Sequence, residues 1–193
     1  GVRCYKSSYE YGGATPLTNV WVSESGVKAD GSAYFLRKAQ RKAVVVGLQA
    51  AITSNQEIRN EINRFNIAAV PGYPELADEL LTLGVDRKNT VFSIVDSPFR
   101  LASDSTSVKN WVNNSNNAVE NGEDGLLSKS SEMAVYYPQG LTTNLDGQSV
   151  MVPASHMALR TFAFNDQVSF PWFAPAGFQR GVVNNATSVG YLD

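Results

Sequence analysis

The chain has 193 residues, 43% hydrophobic and 18% charged, which excludes disordered, collagenous and coiled-coil classes and leaves enough length for one sizeable core. Its 16 basic and 18 acidic side chains give a net charge of -2, so nucleic acid meets no broad positive field and a membrane surface meets no polybasic segment. With the single cysteine Cys4 and one histidine, neither an internal disulfide nor a Cys/His zinc site is expected, and a reducing cytosol is the expected place of synthesis.

In chain order, residues 1–40 are rich in Gly, Ser, Thr and Tyr and show no helical period. They read as an irregular, β-rich excursion with an edge strand over 18–23. The start at Gly1, without an initiator Met or a signal-type segment, gives the expectation of a fragment of a longer protein. From Phe35 to Thr53 a basic start leads into an apolar stretch whose length favours a buried helix, although Val44-Val45-Val46 also suits a strand. The run is too short for a bilayer span.

Ser54 and Glu57 have capping-box spacing, which predicts a helix to Arg64. Residues 65–70 read as a two-sided apolar strand ended by Pro71-Gly72-Tyr73-Pro74. Pro74 then opens a helix to Leu83 that buries Leu76, Leu80 and Leu83, turns Glu75, Asp78 and Glu79 to water, and stops at Gly84. Thr90 to Val95 forms the next strand, closed by Asp96-Ser97-Pro98. Strand, helix and strand at this spacing make a βαβ unit. The fold class is therefore α/β: a mixed, mainly parallel sheet flanked by helices.

Residues 104–106 cap a further helix through Val108, Trp111 and Val112, followed by a turn-rich surface loop over 113–125. Met133 to Tyr137 is another strand, and Asp146-Gly147 a tight turn. Pro153 opens a helix with Met157, Ala158, Leu159 and Phe162 on its apolar face. The segment from Phe170 to Phe178 holds two prolines and a glycine, which excludes a regular element and implies a fixed-shape loop with large groups to bury.

Chemistry-bearing candidates are few. Asp96 follows a strand and has the position to orient a histidine, although Asp before Ser-Pro also suits a turn. His156 is the sole histidine, and neither Ser155 nor Ser169 lies in a nucleophile-elbow context, so a Ser-His-Asp relay is not expected. Gly12-Gly13 and Ala176-Gly177 lack the strand-to-helix setting of a phosphate loop. The acidic residues from Glu120 to Asp124 lack a calcium-loop pattern. The aromatics lack the interleaved basic residues of a single-strand binder. No enzyme activity, cofactor or metal is expected.

The run Val152-Pro153-Ala154-Ser155-His156, then Ala158-Leu159-Arg160-Thr161, Asn165-Asp166 and Trp172-Phe173-Ala174-Pro175-Ala176-Gly177-Phe178-Gln179-Arg180-Gly181 resembles the tail sheath proteins of contractile-tailed bacteriophages. Pro71-Gly72, Asp96-Ser97-Pro98 and Tyr136-Tyr137-Pro138 agree with that family in order. The resemblance covers about residues 41–185 and marks Pro71, Gly72, Asp96, Pro98, Pro153, Asp166, Trp172, Pro175, Ala176, Gly177, Arg180 and Gly181 as structural motif positions. It implies a sheath core domain over 41–193, in a subunit that stacks around a tail tube and contracts during host infection. The implied partners are neighbouring sheath subunits, the tube and the baseplate, without nucleic acid or membrane insertion. The implied location is the virion tail, assembled in the host cytoplasm. Related sheaths serve contractile bacteriocins and type VI secretion systems, and the family core is likened to a subtilisin-type fold. The rival is a serine hydrolase using Ser155 or Ser169, His156 and Asp96. On the sheath reading the loop from Phe170 to Gly181 buttresses the core, so a buried Trp172 is expected and its replacement by Ala should cost about 3 to 5 kcal/mol.

Overall fold

The computed structural model describes residues 35–99, 101–119, 122–184 and 186–189. The strand expected over 18–23 and the pair Gly12-Gly13 lie outside them. Helix α1 is Phe35–Ser54, so the three valines are helical. Over residues 41–54 the expected buried helix is mostly exposed: Val45 is buried, but Val44 and Val46 are about half exposed. Apolar composition alone does not dictate burial. No helix among the described residues is long and apolar enough to cross a membrane. The chain divides into two compact units, Gly1–Ala50 and Ala51–Asp193, and among the described residues the second carries the elements after α1.

After α1 the expected helix to Arg64 is replaced by a short 3-10 turn, Glu57–Arg59. Asn55, not Ser54, holds its start: Oδ1 accepts from the N–H of Glu57 at 2.9 Å and of Ile58 at 3.4 Å. Two arginines take the carbonyls that a helix would have used. Arg87 Nη1 donates to the carbonyls of Ile58 and Asn60, and Nη2 to that of Asn63, each at 2.9 Å. Its guanidinium also lies 4.2 Å over the Phe65 ring. Arg59 donates to the carbonyls of Ile52 and Asn55 and pairs with Asp86 at 2.7 Å. Ile62 is largely exposed, so a helix here had no apolar face to bury.

Strands β1 (Ile67–Ala69), β2 (Phe92–Asp96) and β3 (Met133–Tyr136) form a parallel sheet in the order β1-β2-β3. Ser93 pairs with Ala68 on one side and Met133 on the other. The central strand β2 is buried from Ser93 to Asp96. Between β1 and β2 run a 3-10 turn, Pro74–Leu76, and helix α2, Ala77–Asp86, completing the βαβ unit. Ala77 and Leu80 pack against Val95, with Ala68, Val70, Met133 and Val135 around them. The period of two sends Ile94 and Asp96 to the other face.

Two readings of α2 need correction. Gly84 does not end the helix, which runs on to Asp86; Lys88 and Asn89 turn the chain with φ of 58° and 57°. The Asn89 N–H closes that turn on the Gly84 carbonyl at 2.8 Å. Glu75, expected in water, is buried, and Asp78 and Glu79 are half-buried. Gly122, in the 113–125 loop, packs on the Pro74–Leu76 turn: a Cβ there would stand 2.6 Å from the Pro74 carbonyl oxygen.

That loop is anchored, not merely a surface excursion. Helix α3 (Ser105–Val112) is N-capped by Asp104, which accepts from the Ser107 N–H at 2.7 Å. Bonds from the Ser107 backbone and hydroxyl hold the Asp104 carboxyl below its ordinary range. At the other end of α3, buried Trp111 donates from Nε1 to the Gly122 carbonyl at 3.0 Å. Asn114 pairs through both amide atoms with the Ala118 backbone.

A second sheet is antiparallel, β5-β4-β6, from β4 (Gly140–Thr143), β5 (Ser149–Val152) and β6 (Ser188–Val189). Asp146-Gly147 makes the β4–β5 turn, with Gly147 at φ 78°. Helix α4 (Ala154–Val168) follows β5, and the short α5 is Gly177–Arg180. The class is thus mixed α/β with a parallel sheet and helices. The expected mainly parallel sheet is instead one parallel and one antiparallel sheet.

Candidate functional site

The carboxyl ends of β1 and β2 meet the start of α4 at one buried carboxylate. Asp96, the last residue of β2, is 2% exposed. Its Oδ2 accepts from the Gly72 N–H at 2.7 Å, and its Oδ1 from the Ser155 N–H at 2.6 Å. The Ser155 hydroxyl donates to Oδ2 at 2.7 Å. Helix α4 needs this help from outside: its N-cap is Pro153, which has no side-chain oxygen to offer the first-turn amides. Asp96 therefore supplies the cap from a neighbouring strand, with its charge at the positive end of the helix.

Neighbouring residues fix the geometry. Gly72 has φ 83°, and a Cβ there would touch Phe99 and Pro153 at 3.5 Å each. Pro98 is buried. The Ser97 N–H donates to the Tyr136 carbonyl at 3.1 Å. Gln139 Nε2 donates to the Phe99 carbonyl and Tyr137 OH to that of Leu101. Of the motif positions, Gly72, Asp96, Pro98 and Pro153 thus belong to one junction, with Pro71 exposed at its edge.

The remaining motif residues form a separate corner. Asn165 Nδ2 donates to the Phe173 carbonyl at 3.0 Å. Arg180 donates to Ser169 Oγ at 3.2 Å, and its guanidinium lies 4.6 Å over the Phe173 ring. Gly177 starts α5 at φ 77° after the N-cap Ala176, and the Gly181 N–H closes it on the Gly177 carbonyl. A Cβ on Gly181 would fall 2.8 Å from Ala176 Cα. Pro175 is half-buried, and Asp166 is exposed.

Trp172 overturns the expectation placed on it. It is 75% exposed and stacks on Phe170 with ring centroids 4.8 Å apart. The loop's polar bonds already fix its shape, so the aromatic rings are free to face solvent. Of the apolar face expected on α4, Ala158 alone is fully buried; the buried face is otherwise polar. It consists of Ser155, Ala158, Thr161 and Asn165, while Met157, Leu159 and Phe162 are half-buried.

For acyl-transfer chemistry a serine needs a base and an open approach. Ser155 has no exposed surface, and its hydroxyl proton points at the carboxylate, with no imidazole between. His156 is exposed on the next position. Ser169 lies at the opposite end of α4, its Oγ held by Arg180. Among the described residues no cluster of three or more His, Cys, Asp or Glu side chains converges to hold a metal ion; Glu120 lies outside them. Sequence reasoning set Asp96 and Ser155 together only in the hydrolase rival, through His156, and missed that they bond directly. The signal was present: a Pro-led helix lacking its own capping side chain, and an unassigned Asp at a strand end. Comparison with family models, curated proteins and solved structures returns no match for this chain.

Proposed function

We propose that the chain is the core of a structural subunit of a contractile phage tail sheath, assembling with copies of itself around a tail tube in the virion. The observation that supports this reading best is the Asp96 junction. The segments that carry the resemblance, Pro71-Gly72, Asp96-Ser97-Pro98 and Val152-Pro153-Ala154-Ser155, lie 24 and 59 residues apart in sequence yet share one buried carboxylate. A subunit that slides between two lattices needs a block that keeps its shape while its contacts change. A strand end, a tight turn and a helix start locked to one side chain make such a block. The serine-hydrolase reading draws on the same Asp96 and Ser155, but the buried serine and the exposed histidine favour the clamp.

Electron microscopy of the full-length protein tests the proposal. Helical tubes or polysheaths are the expected result, and a protein that never polymerises would overturn it. A fluorophosphonate probe addresses the rival: no adduct is expected on Ser155, whereas labelling abolished by His156→Ala would establish the hydrolase.

A further inference from the structure

The exposed aromatic corner is near the upper end of what a soluble chain ordinarily leaves uncovered. Phe170, Trp172, Phe173 and Phe178 are 57%, 75%, 43% and 100% exposed. At about 200 Å² per aromatic side chain they present roughly 550 Å² of apolar surface. Val168, Val182 and Val183, all exposed, flank them. That is near the top of the roughly 300 to 600 Å² of the largest patch on a typical monomer. With the valines it approaches the roughly 800 Å² that each partner buries in a standard stable interface.

Val182 of the patch also lines a cleft of about 180 Å³ between α4 and the segment after α5, with Thr161, Ala163 and Phe164, and with Arg160, Gln167 and Asn184 at its polar side. A cavity of about 150 Å³ accepts a benzene ring. The chain thus carries both a fully exposed ring, Phe178, and a recess of a size to receive one, and Val182 belongs to the patch and the recess alike. A ring and a recess that are separate features of one chain suit a heterologous contact, which closes into rings or runs on as a helix.

We infer that this corner is a self-association surface, in which Phe178 of one copy enters the α4 cleft of a second copy while the Phe170–Trp172 stacks close over the rim. The biological use of the contact rests on the sheath reading, but the pairing is measured separately. In sedimentation velocity from 1 to about 200 µM, the 193-residue chain should associate reversibly, through a dimer to larger species. Phe178→Asp and Trp172→Asp should each weaken that association about tenfold or more without moving the melting midpoint, because a charge at the centre of an apolar contact is desolvated without a partner. Ile62→Asp, on an exposed apolar residue outside the patch, should leave it unchanged.

A chain that stays monomeric throughout the range, or association indifferent to both aspartates, would overturn the inference. Monomers that pellet with phosphatidylcholine vesicles through the same residues would overturn it in favour of a lipid surface. Tubes formed by full-length protein carrying Phe178→Asp would keep the sheath reading and discard this surface. Phe178-dependent association without tubes would do the reverse.

Discussion

At the scale of single residues, the contrast between Asp96 and Trp172 shows how poorly size alone forecasts structural weight. Asp96 accepts three hydrogen bonds where water does not reach, and each donor it releases remains buried. An unsatisfied buried donor costs about 1 to 3 kcal/mol. Asp96→Asn keeps the shape but turns an NH₂ toward one of the two backbone N–H groups, so it should lower unfolding free energy by about 3 kcal/mol. Ser155→Ala removes one donor and leaves both backbone bonds in place, so about 1 kcal/mol is expected. Urea unfolding of both variants checks the order; an asparagine variant as stable as the alanine one would remove Asp96 from its place as the cap of α4. Trp172 behaves oppositely. Its ring is mostly solvated, so Trp172→Ala should change stability by less than about 0.5 kcal/mol. A loss near the 3 to 5 kcal/mol of a core aromatic would mean the ring is buried in solution.

Elements here are held by groups borrowed from elsewhere in the chain, and that governs what could be read in advance. The βαβ unit was legible because its signals are local: apolar runs, Pro74 at a helix start and leucines at spacings of three and four. The Asp146-Gly147 turn was legible for the same reason. The helix expected after Ser54 failed because its competitor was 27 residues away in Arg87, whose side chain collects the carbonyls of Ile58, Asn60 and Asn63. Strands β4, β5 and β6 were missed because Pro138 and Gly140 resemble turn punctuation, and because the four residues Ser149–Val152 and the two residues Ser188–Val189 are too few for a period. At the site, the motif order pointed to the right segments, but which residue met which depended on a register no local pattern encodes. Arg87 offers a direct check of this borrowing. Arg87→Lys keeps the charge but not the planar fork that reaches three carbonyls and stacks on Phe65. It should cost about 2 kcal/mol in thermal or urea unfolding, two lost bonds at about 1 kcal/mol each. A neutral outcome would return the 52–66 segment to its own propensities.

For the second compact unit as a whole, order is set by where burial and hydrogen bonding coincide, and that place is β2. Ile94 and Val95 are almost wholly buried, with α2 on one face of the strand and the Asp96–Ser155 bonds to α4 on the other. Both neighbours of β2 run parallel to it, so its amides are shielded at both edges. The antiparallel sheet differs: β5 and β6 are edges, β4 is central, and its residues other than Gly140 keep partial or full exposure. The corner from Phe170 to Gly181 is held mainly by polar bonds to α4, with its rings in solvent. Local stability follows burial and contact density, so amides should open in that order. Hydrogen exchange should therefore find Ile94 and Val95 the slowest, exchanging only by global unfolding, the β4–β5 hairpin faster, and residues 170–183 fastest. Ser155→Ala should speed exchange in the first turn of α4 and at Gly72 more than at β2. Equal protection of both sheets, with every amide lowered together by Ser155→Ala, would mean that the junction does not fasten two separable layers and that the unit opens only as one piece.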